Sequence, residues 1–142
     1  MDELIESFET FCREQSLRIT PQRLFVLKLL HQVNEPLTAY DVLERMKEIT
    51  PNPKPPSAYR ALEFLQEHGF IHRIESLNAY VKCNVNHLHH GSQFMVCDSC
   101  GRVTEIHLCS LPDSLKAKVD SEQFHFNHWK LEIHGLCQSC HA

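Results

Sequence analysis

The chain has 142 residues, of which 42 % are hydrophobic and 23 % are charged, with only 4 Gly and 7 Pro. These proportions describe a globular chain of one domain or two small ones, and they exclude a large multidomain enzyme, a collagen-like chain, a coiled coil and a disordered chain. Residues 1–6 are acidic where a secretory signal is basic, and no apolar run reaches the roughly 18 residues of a membrane span. We therefore expect a cytoplasmic protein with no membrane partner.

The charge balance is slightly acidic, but the basic residues are not spread evenly. The net charge is -4, from 14 Lys and Arg against 18 Asp and Glu, which taken alone argues against a nucleic-acid partner. Within residues 13–28 and again within residues 45–60, however, four basic residues stand against a single Glu. A local basic face in the first half is therefore compatible with binding to nucleic acid.

Three helices are predicted in the first fifty residues. Apolar residues recur at helical spacing over about 3–15. Thr20 and Pro21 supply an N-cap and a first-turn proline for a second helix. Thr38 begins a Thr-x-x-Asp capping pattern for a third helix, whose apolar positions extend to Ile49.

A fourth helix and a hairpin complete the first half. The helix follows the proline-rich stretch 51–56, and Gly69 stands where a helix C-terminus favours a left-handed residue. The hydrophobic period then changes to that of two short strands, over 70–74 and 79–82. Helices followed by a hairpin suggest a winged helix-turn-helix, and a helical bundle with an additional hairpin fits the periodicity equally well.

The second half has a different pattern, which gives the whole chain an α+β composition. Residues 84–93 are polar and rich in His and Asn, as in a hinge or loop. Short strands are predicted at 94–96 and 102–108, a helix over about 112–122, and a half-buried strand over 129–133.

Cysteine and histidine are unusually frequent, with 7 and 11 copies. An odd number of cysteines cannot all pair within one chain, and a reducing cytosol disfavours disulfides. The two CxxC motifs, Cys97 to Cys100 and Cys137 to Cys140, together provide the four thiolates of a closed tetrahedral shell, which suits a structural Zn(II) ion. A redox dithiol and buried unliganded thiols are the alternatives, but neither motif has the strand-helix context of a redox site.

A second group of potential ligands surrounds the boundary between the halves. One thiolate, two imidazoles and one carboxylate would bind Zn(II) as a neutral complex, and the thiolate disfavours Mg, Mn and ferrous iron. Isolated surface histidines and a core thiol remain an alternative interpretation, because the spacing does not show that the groups converge. The group comprises His72, Cys83, His87, His89, His90 and Glu105.

Several segments resemble the ferric uptake regulator (Fur) family, and the match covers nearly the whole chain. They are residues 18–23 (RITPQR), residues 55–62 (PPSAYRAL), the histidine loop before Cys97, and residues 134–140 (HGLCQSC). Within that family the chain is most similar to the zinc uptake regulator branch. That similarity is carried by residues 38–41 (TAYD), 55–60 (PPSAYR), 75–83 (ESLNAYVKC) and 134–137 (HGLC).

The resemblance implies a bacterial homodimeric repressor that is not an enzyme and has no small-molecule substrate. A winged-helix DNA-binding domain would occupy 1–82, a hinge and metal-binding loop 83–93, and an α/β dimerisation domain with structural zinc 94–142. Zinc would act as corepressor, with two ions per chain, so that the homodimer binds double-stranded operator DNA and represses zinc-uptake genes. Metal bound across the hinge would hold the two DNA-binding domains at the spacing of the operator half-sites.

The resemblance also assigns residues to roles. Cys97, Cys100, Cys137 and Cys140 match the structural zinc site of the family. The regulatory site of the zinc-sensing branch is matched by His72, Cys83, His90 and Glu105.

Four residues are assigned to DNA. Tyr40 and Arg60 match residues that read bases. The guanidinium of Arg60 can donate two parallel hydrogen bonds to the O6 and N7 atoms of a guanine. Tyr59 and Ser57, nearer the start of the fourth helix, are predicted to contact phosphates, with Lys54 and Arg23 adding positive charge. The alternative is that Tyr59 packs on a neighbouring helix and Arg60 pairs with Glu63.

The chain departs from many relatives in the segment before the first knuckle. They have a His-His-Asp-His run there, where this chain has HHGSQF over 89–94, so the metal site built from the later members of that run is not expected. The sequence leaves open a third metal site that uses His89 or His128. An iron or peroxide sensor is the nearer rival, and Cys83 argues against its nitrogen and oxygen shell. A zinc hydrolase is the remoter rival, because four protein ligands would leave no open position and no HExxH motif is present.

Overall fold

The computed structural model describes residues 1–83, 91–108 and 110–141. The chain divides into two compact units, Met1–Cys83 and Asn84–Ala142, which we call the N-terminal unit and the C-terminal unit. Among the described residues, no helix combines the length and the apolar character that crossing a bilayer requires.

Four helices make up most of the N-terminal unit. They are α1 (Asp2–Glu14), α2 (Pro21–Gln32), α3 (Ala39–Met46) and α4 (Pro55–Glu67). All four coincide with helices predicted from periodicity and capping. Gly69, just after α4, has a φ of +80°, which confirms the predicted left-handed position.

Side-chain caps fix the starts of α2 and α3. The Thr20 hydroxyl accepts a hydrogen bond from the backbone N–H of Arg23 at 3.1 Å. The Thr38 hydroxyl accepts from the N–H of Asp41 at 3.1 Å, and the Asp41 carboxylate accepts from the N–H of Thr38 at 3.0 Å. This reciprocal pair is the predicted capping box, and it satisfies two N–H groups that have no partner within a helix.

The third helix is shorter than predicted. It ends at Met46, and Ile49 lies beyond it with 44 % of its surface exposed. The chain there continues in tight turns, with the N–H of Ile49 donating to the carbonyl of Met46 at 3.1 Å. Pro51 disfavours helical conformation at Thr50, so helix is not expected to continue beyond these turns.

A three-stranded antiparallel sheet packs with these helices. It contains β1 (Leu37–Thr38), β2 (Ile71–Ile74) and β3 (Ala79–Lys82) in the order β1-β3-β2. The predicted hairpin is β2 and β3, joined through a short 3₁₀ turn at Glu75–Leu77. Because β1 adds a third strand beside the hairpin, the unit is a winged helix rather than a helical bundle with an additional hairpin.

The core of the N-terminal unit is a single cluster drawn from all four helices and the sheet. Phe8 of α1, Leu27 of α2, Val42 of α3, Leu62 of α4 and Ile71 of β2 are all fully buried in it. Burial of this much apolar surface stabilises the unit without a bound ligand.

The C-terminal unit contains a second three-stranded sheet. Its elements are β4 (Gly91–Cys97), β5 (Val103–Glu105), α5 (Asp113–Ser121), β6 (Trp129–Gly135) and the short α6 (Gln138–His141). The strand order is β5-β4-β6, with β5 antiparallel and β6 parallel to the central β4.

Two sequence predictions need correction here. β4 begins at Gly91, inside the stretch 84–93 that was predicted to be hinge or loop, whose residues 84–90 lie outside the described residues. The strand predicted at 102–108 is confined to Val103–Glu105. The start of β4 was missed because Ser92 and Gln93 are polar, although both are buried in the folded chain.

Little of the C-terminal unit is buried. Among its described residues, the buried side chains all lie on β4, and α5 contributes none. Large apolar side chains are exposed instead: Met95, Leu115, Phe124, Ile133 and Leu136.

Candidate metal centre and nucleic-acid interface

The parallel pairing of β4 and β6 brings the two CxxC motifs together. Cys97, the last residue of β4, lies opposite Gly135, the last residue of β6. The chain turns after Cys97, with the N–H of Gly101 donating to the Cys97 carbonyl at 3.0 Å and a φ of +76° at Gly101. Gly101 therefore relieves the turn, as expected of a zinc knuckle.

The four cysteine sulfurs converge. The Sγ atoms of Cys97, Cys100, Cys137 and Cys140 all lie within 4.8 Å of one another, and those of Cys100 and Cys137 are 3.8 Å apart. A tetrahedral zinc site with Zn–S bonds of about 2.3 Å has sulfur-to-sulfur edges of about 3.8 Å. The donor set and its spacing fit Zn(II).

Hydrogen bonds within the cysteine cluster lower the pKa of some thiols and raise that of another. The pKa of Cys97 is lowered to about 6, chiefly by the backbone N–H groups of Cys100 and Cys137, the latter 3.3 Å from the sulfur. The pKa of Cys137 is also lowered, first by its side-chain hydrogen bond with Cys140, whereas that same bond raises the pKa of Cys140 to about 12. Neighbouring thiols therefore share protons, which a bound cation would displace.

Two of the residues assigned to the regulatory site meet in the N-terminal unit. His72 lies on β2 and Cys83 immediately follows β3, where its N–H donates to the carbonyl of Phe70 at 3.3 Å. Their potential ligand atoms lie within 4.8 Å of each other, and both residues are half-buried. The hairpin thus brings an imidazole and a thiol together, although ten other residues separate them in sequence.

The other two residues assigned to this site belong to the C-terminal unit. Glu105 is the last residue of β5 and is half-buried. His90 lies outside the described residues, as do His87 and His89. The roles of Glu105 and His90 as ligands of the regulatory site remain predictions.

The residues assigned to DNA lie on exposed surfaces of α3 and α4. Tyr40, in the first turn of α3, is 68 % exposed, and Tyr59 of α4 is 49 % exposed. Arg60 is exposed as well, and the described part of the chain shows no ion pair between it and Glu63. Ser57 is half-buried near the start of α4. Contact of these four residues with DNA stays a prediction.

Arg23, which is predicted to add positive charge near phosphates, is half-buried and contacts other residues of the N-terminal unit. Its guanidinium carbon lies 3.7 Å from the centroid of the Phe64 ring on α4, and its Nη1 donates to the carbonyl of Arg18. Sequence alone gave no signal for this contact, because the two residues belong to different helices.

Comparison with known proteins then decides the family. Residues 14–134 match the ferric uptake regulator family. The chain is a member of that family.

Particular relatives are similar over almost the full length of this family member. It is 40 % identical over 139 residues to the zinc uptake regulation protein of Escherichia coli strain K12, covering 97 % of this chain and 81 % of the relative. A solved structure of a zinc uptake regulator complexed with zinc and DNA superposes with a TM-score of 0.88 at 39 % identity, covering 97 % of this chain and 93 % of the other. The peroxide operon regulator of Bacillus subtilis strain 168 is 28 % identical over 141 residues, covering 97 % and 93 % of the two chains.

Proposed function

We propose that this Fur-family protein is a zinc-responsive transcriptional repressor, which binds operator DNA as a homodimer when its regulatory site holds Zn(II) and thereby controls zinc-uptake genes. The observation that carries the proposal is the pair of His72 and Cys83, whose ligand atoms lie within 4.8 Å of each other. Its thiolate favours Zn(II) over harder cations. Likeness to a zinc uptake regulator bound to zinc and DNA supports the same conclusion.

Two zinc ions per chain follow from two chemically different donor sets. The four cysteines of the two CxxC motifs offer a closed thiolate shell, which holds zinc tightly and serves a structural purpose. The regulatory set is His72, Cys83, His90 and Glu105, and its mixed donors bind zinc less firmly. Only the weaker site can release and regain metal as the zinc supply changes.

Zinc at the regulatory site would act on the spacing of two DNA-binding units. His72 and Cys83 belong to the N-terminal unit and Glu105 to the C-terminal unit, so one ion held by all of them would connect the units. In a dimer, that connection selects the separation that matches half-sites about one helical turn apart. A coupling free energy of about 1–3 kcal/mol changes operator affinity roughly 5- to 150-fold, which is sufficient for a switch.

The exposed residues of α3 and α4 supply the DNA contacts. Arg60 would donate two hydrogen bonds to a guanine edge in the major groove, and Tyr40 would read a neighbouring base. Tyr59 and Ser57, together with Lys54 at the N-cap of α4, would bind phosphates and fix the helix in the groove.

Dimerisation is assigned to the C-terminal unit. Met95 and Ile133 are paired on neighbouring strands and are 45 % and 49 % exposed, and Leu136 is 55 % exposed. Leu115 of α5 and Phe124 just after it are also exposed. Apolar side chains in this number are costly in water and are suited to contact a second copy of the chain.

Replacement of Cys83 by Ser tests the proposal. We expect the Cys83→Ser variant to lose zinc-dependent operator binding in gel-shift titrations, while it remains a dimer by light scattering and keeps one tightly bound zinc per chain by metal analysis. Cys12→Ala is the matched control, because Cys12 is a fully buried thiol of the core outside either ligand set. A zinc response retained by Cys83→Ser would refute the assignment of the regulatory site.

Operator binding measured with different metal ions distinguishes the proposed zinc sensor from its nearest rival, an iron or peroxide sensor. A peroxide or iron sensor would bind operator DNA with Fe(II) or Mn(II), and likeness to a peroxide operon regulator keeps that comparison necessary. We expect operator binding with Zn(II) and none with Fe(II) or Mn(II) at equal free concentrations. The relatives quoted above are regulators rather than enzymes, which agrees with the absence of an open zinc position in the proposed four-ligand shells.

A further inference from the structure

The Arg23 side chain connects α2 to α4 within the N-terminal unit. Its backbone N–H is held by the Thr20 cap, its Nη1 donates to the carbonyl of Arg18, and its guanidinium lies over the ring of Phe64 with the carbon 3.7 Å from the centroid. Both ends of this residue are therefore fixed, which is unusual for a surface arginine that only supplies charge.

Phe64 is fixed on its other sides as well. The residue is 8 % exposed, and its ring makes edge contacts with Phe8 of α1, at 6.3 Å between centroids, and with His68, at 4.7 Å. Arg23 covers one face of the ring, so α1, α2 and α4 all meet at this side chain. Rotation of α4 about its axis would break the contacts of Phe64 with Phe8 and Arg23, whereas His68, at the C-cap of α4, would move with the helix.

The position of Phe64 on α4 links this contact to DNA recognition. Phe64 follows Arg60 by four residues, and residues at that spacing lie on nearly the same side of a helix. The side chain of a helical residue also leans toward the N-terminus, which brings Phe64 toward the turn that contains Arg60. A contact that holds Phe64 thus contributes to the direction in which Arg60 leaves the helix, in addition to the core packing of residues such as Leu62 and Leu65.

We propose that Arg23 is a positioning residue for base recognition, because its cation–π contact with Phe64 fixes the rotation of α4 and so aims Arg60 at its base. The inference rests on the proposed function, since only a helix that reads DNA needs this precision. Bidentate contact with a guanine requires two parallel hydrogen bonds, and their geometry tolerates little rotation.

The test uses the zinc-loaded full chain and a duplex that the wild-type protein selects from a random pool. Arg23→Met, Phe64→Leu and the double variant are compared by fluorescence anisotropy at several salt concentrations, with a scrambled duplex alongside. We expect each single variant to lose roughly 3- to 10-fold in affinity for the selected duplex. The double variant should bind about as well as Phe64→Leu alone, because that substitution already removes the ring that Arg23 contacts.

Two controls separate positioning from charge and from stability. Lys116→Met removes an exposed positive charge from α5 of the C-terminal unit, which is assigned no contact with DNA, and should change affinity less than twofold. Ile71→Val trims the buried core and should lower the melting temperature without changing the affinity of the folded protein. A purely structural role would make Arg23→Met behave like Ile71→Val, which would overturn the inference.

The salt dependence identifies the main alternative. If Arg23 instead binds a phosphate, Arg23→Met should reduce the magnitude of the slope of log affinity against log salt concentration by about 0.9, on both duplexes. Phe64→Leu should then leave that slope unchanged. That result would overturn the inference, as would an unchanged affinity for the selected duplex. If the wild-type protein selects no duplex with zinc, the proposed function itself fails, which is a separate outcome.

Discussion

Arg60 leaves the polar side of α4 without a carboxylate partner in the described part of the chain, and its exposure makes it available to a base edge. We predict that Arg60→Ala costs about 1–3 kcal/mol in operator binding, because a bidentate contact is lost. Gel shifts with operators altered at single positions should show relaxed preference at one position per half-site. An equal loss on random DNA would mean that Arg60 binds only phosphate.

The pKa of His31 determines part of the pH dependence of the stability of the N-terminal unit. Burial lowers its pKa, an effect that the positive charges of Lys82 and the N-terminus reinforce and a hydrogen bond from Nδ1 to the Leu27 carbonyl, at 2.9 Å, partly offsets. The folded state therefore keeps this imidazole neutral. Below a pH of about 6.5 the unfolded chain binds a proton more readily than the folded one, so stability decreases until the folded pKa is passed.

Urea denaturation above and below that pH measures the effect. The free energy of unfolding should fall less steeply with acidification in His31→Gln than in the wild type, since the variant has no proton to bind there. His125→Gln, which changes an exposed histidine, serves as the control and should follow the wild type. Identical pH profiles for all three proteins would contradict the prediction.

At the scale of elements, α3 depends on its capping box. We predict that Thr38→Ala lowers the free energy of unfolding by about 0.5–2 kcal/mol, because the N–H of Asp41 loses its acceptor at a helix of only 8 residues. Chemical denaturation measures this loss. Thr50→Ala is a suitable control, since the Thr50 hydroxyl makes no hydrogen bond to the described residues, and an equal loss there would argue against the cap.

The elements predicted from sequence were those with strong local signals. Caps, a first-turn proline and helical spacing identified all four helices of the N-terminal unit, and alternation identified β6. The two residues of β1 and the four of α6 are too short to create a periodic pattern. The polar start of β4 is strand because of its pairing with β6 from Gly91 onward, a contact between distant segments that local propensity does not report.

The two candidate metal sites also differ in how far local sequence patterns predict them. The two CxxC motifs predicted the cysteine cluster directly, because each motif contributes two donors within one turn. His72 and Cys83 meet only through the register of a hairpin, and their role came from the family resemblance, as did that of Tyr40. The contact of Arg23 with Phe64 depends on how α2 packs on α4, and periodicity says nothing about it.

For the whole molecule, the two units obtain their stability from different sources. The N-terminal unit has a core drawn from four helices and a sheet, whereas the buried described residues of the C-terminal unit lie on one strand. We predict that Cys137→Ser, which opens the zinc shell, lets the C-terminal unit unfold at a lower denaturant concentration than the N-terminal unit. The Cys83→Ser variant should not show this separation.

The single tryptophan makes the comparison direct. Trp129 lies on β6, so its fluorescence reports the C-terminal unit. Circular dichroism at the helical minimum is dominated by the four helices of the N-terminal unit, which contain most of the helical residues among those described. In Cys137→Ser the fluorescence transition should precede the dichroism transition. Coincident transitions would show that the zinc shell does not support the C-terminal unit separately.

The order of the cysteines along the chain has a consequence for biosynthesis. Cys137 follows Cys100 by 37 residues, so a ribosome delivers the first knuckle well before the second. During that interval the first knuckle offers a metal ion only two of the four thiols of the shell, a set that holds zinc less tightly than the complete one. Secure loading therefore requires that Cys140 has been synthesised, so the metal shell of the C-terminal unit is completed only after every core segment of the N-terminal unit has been made.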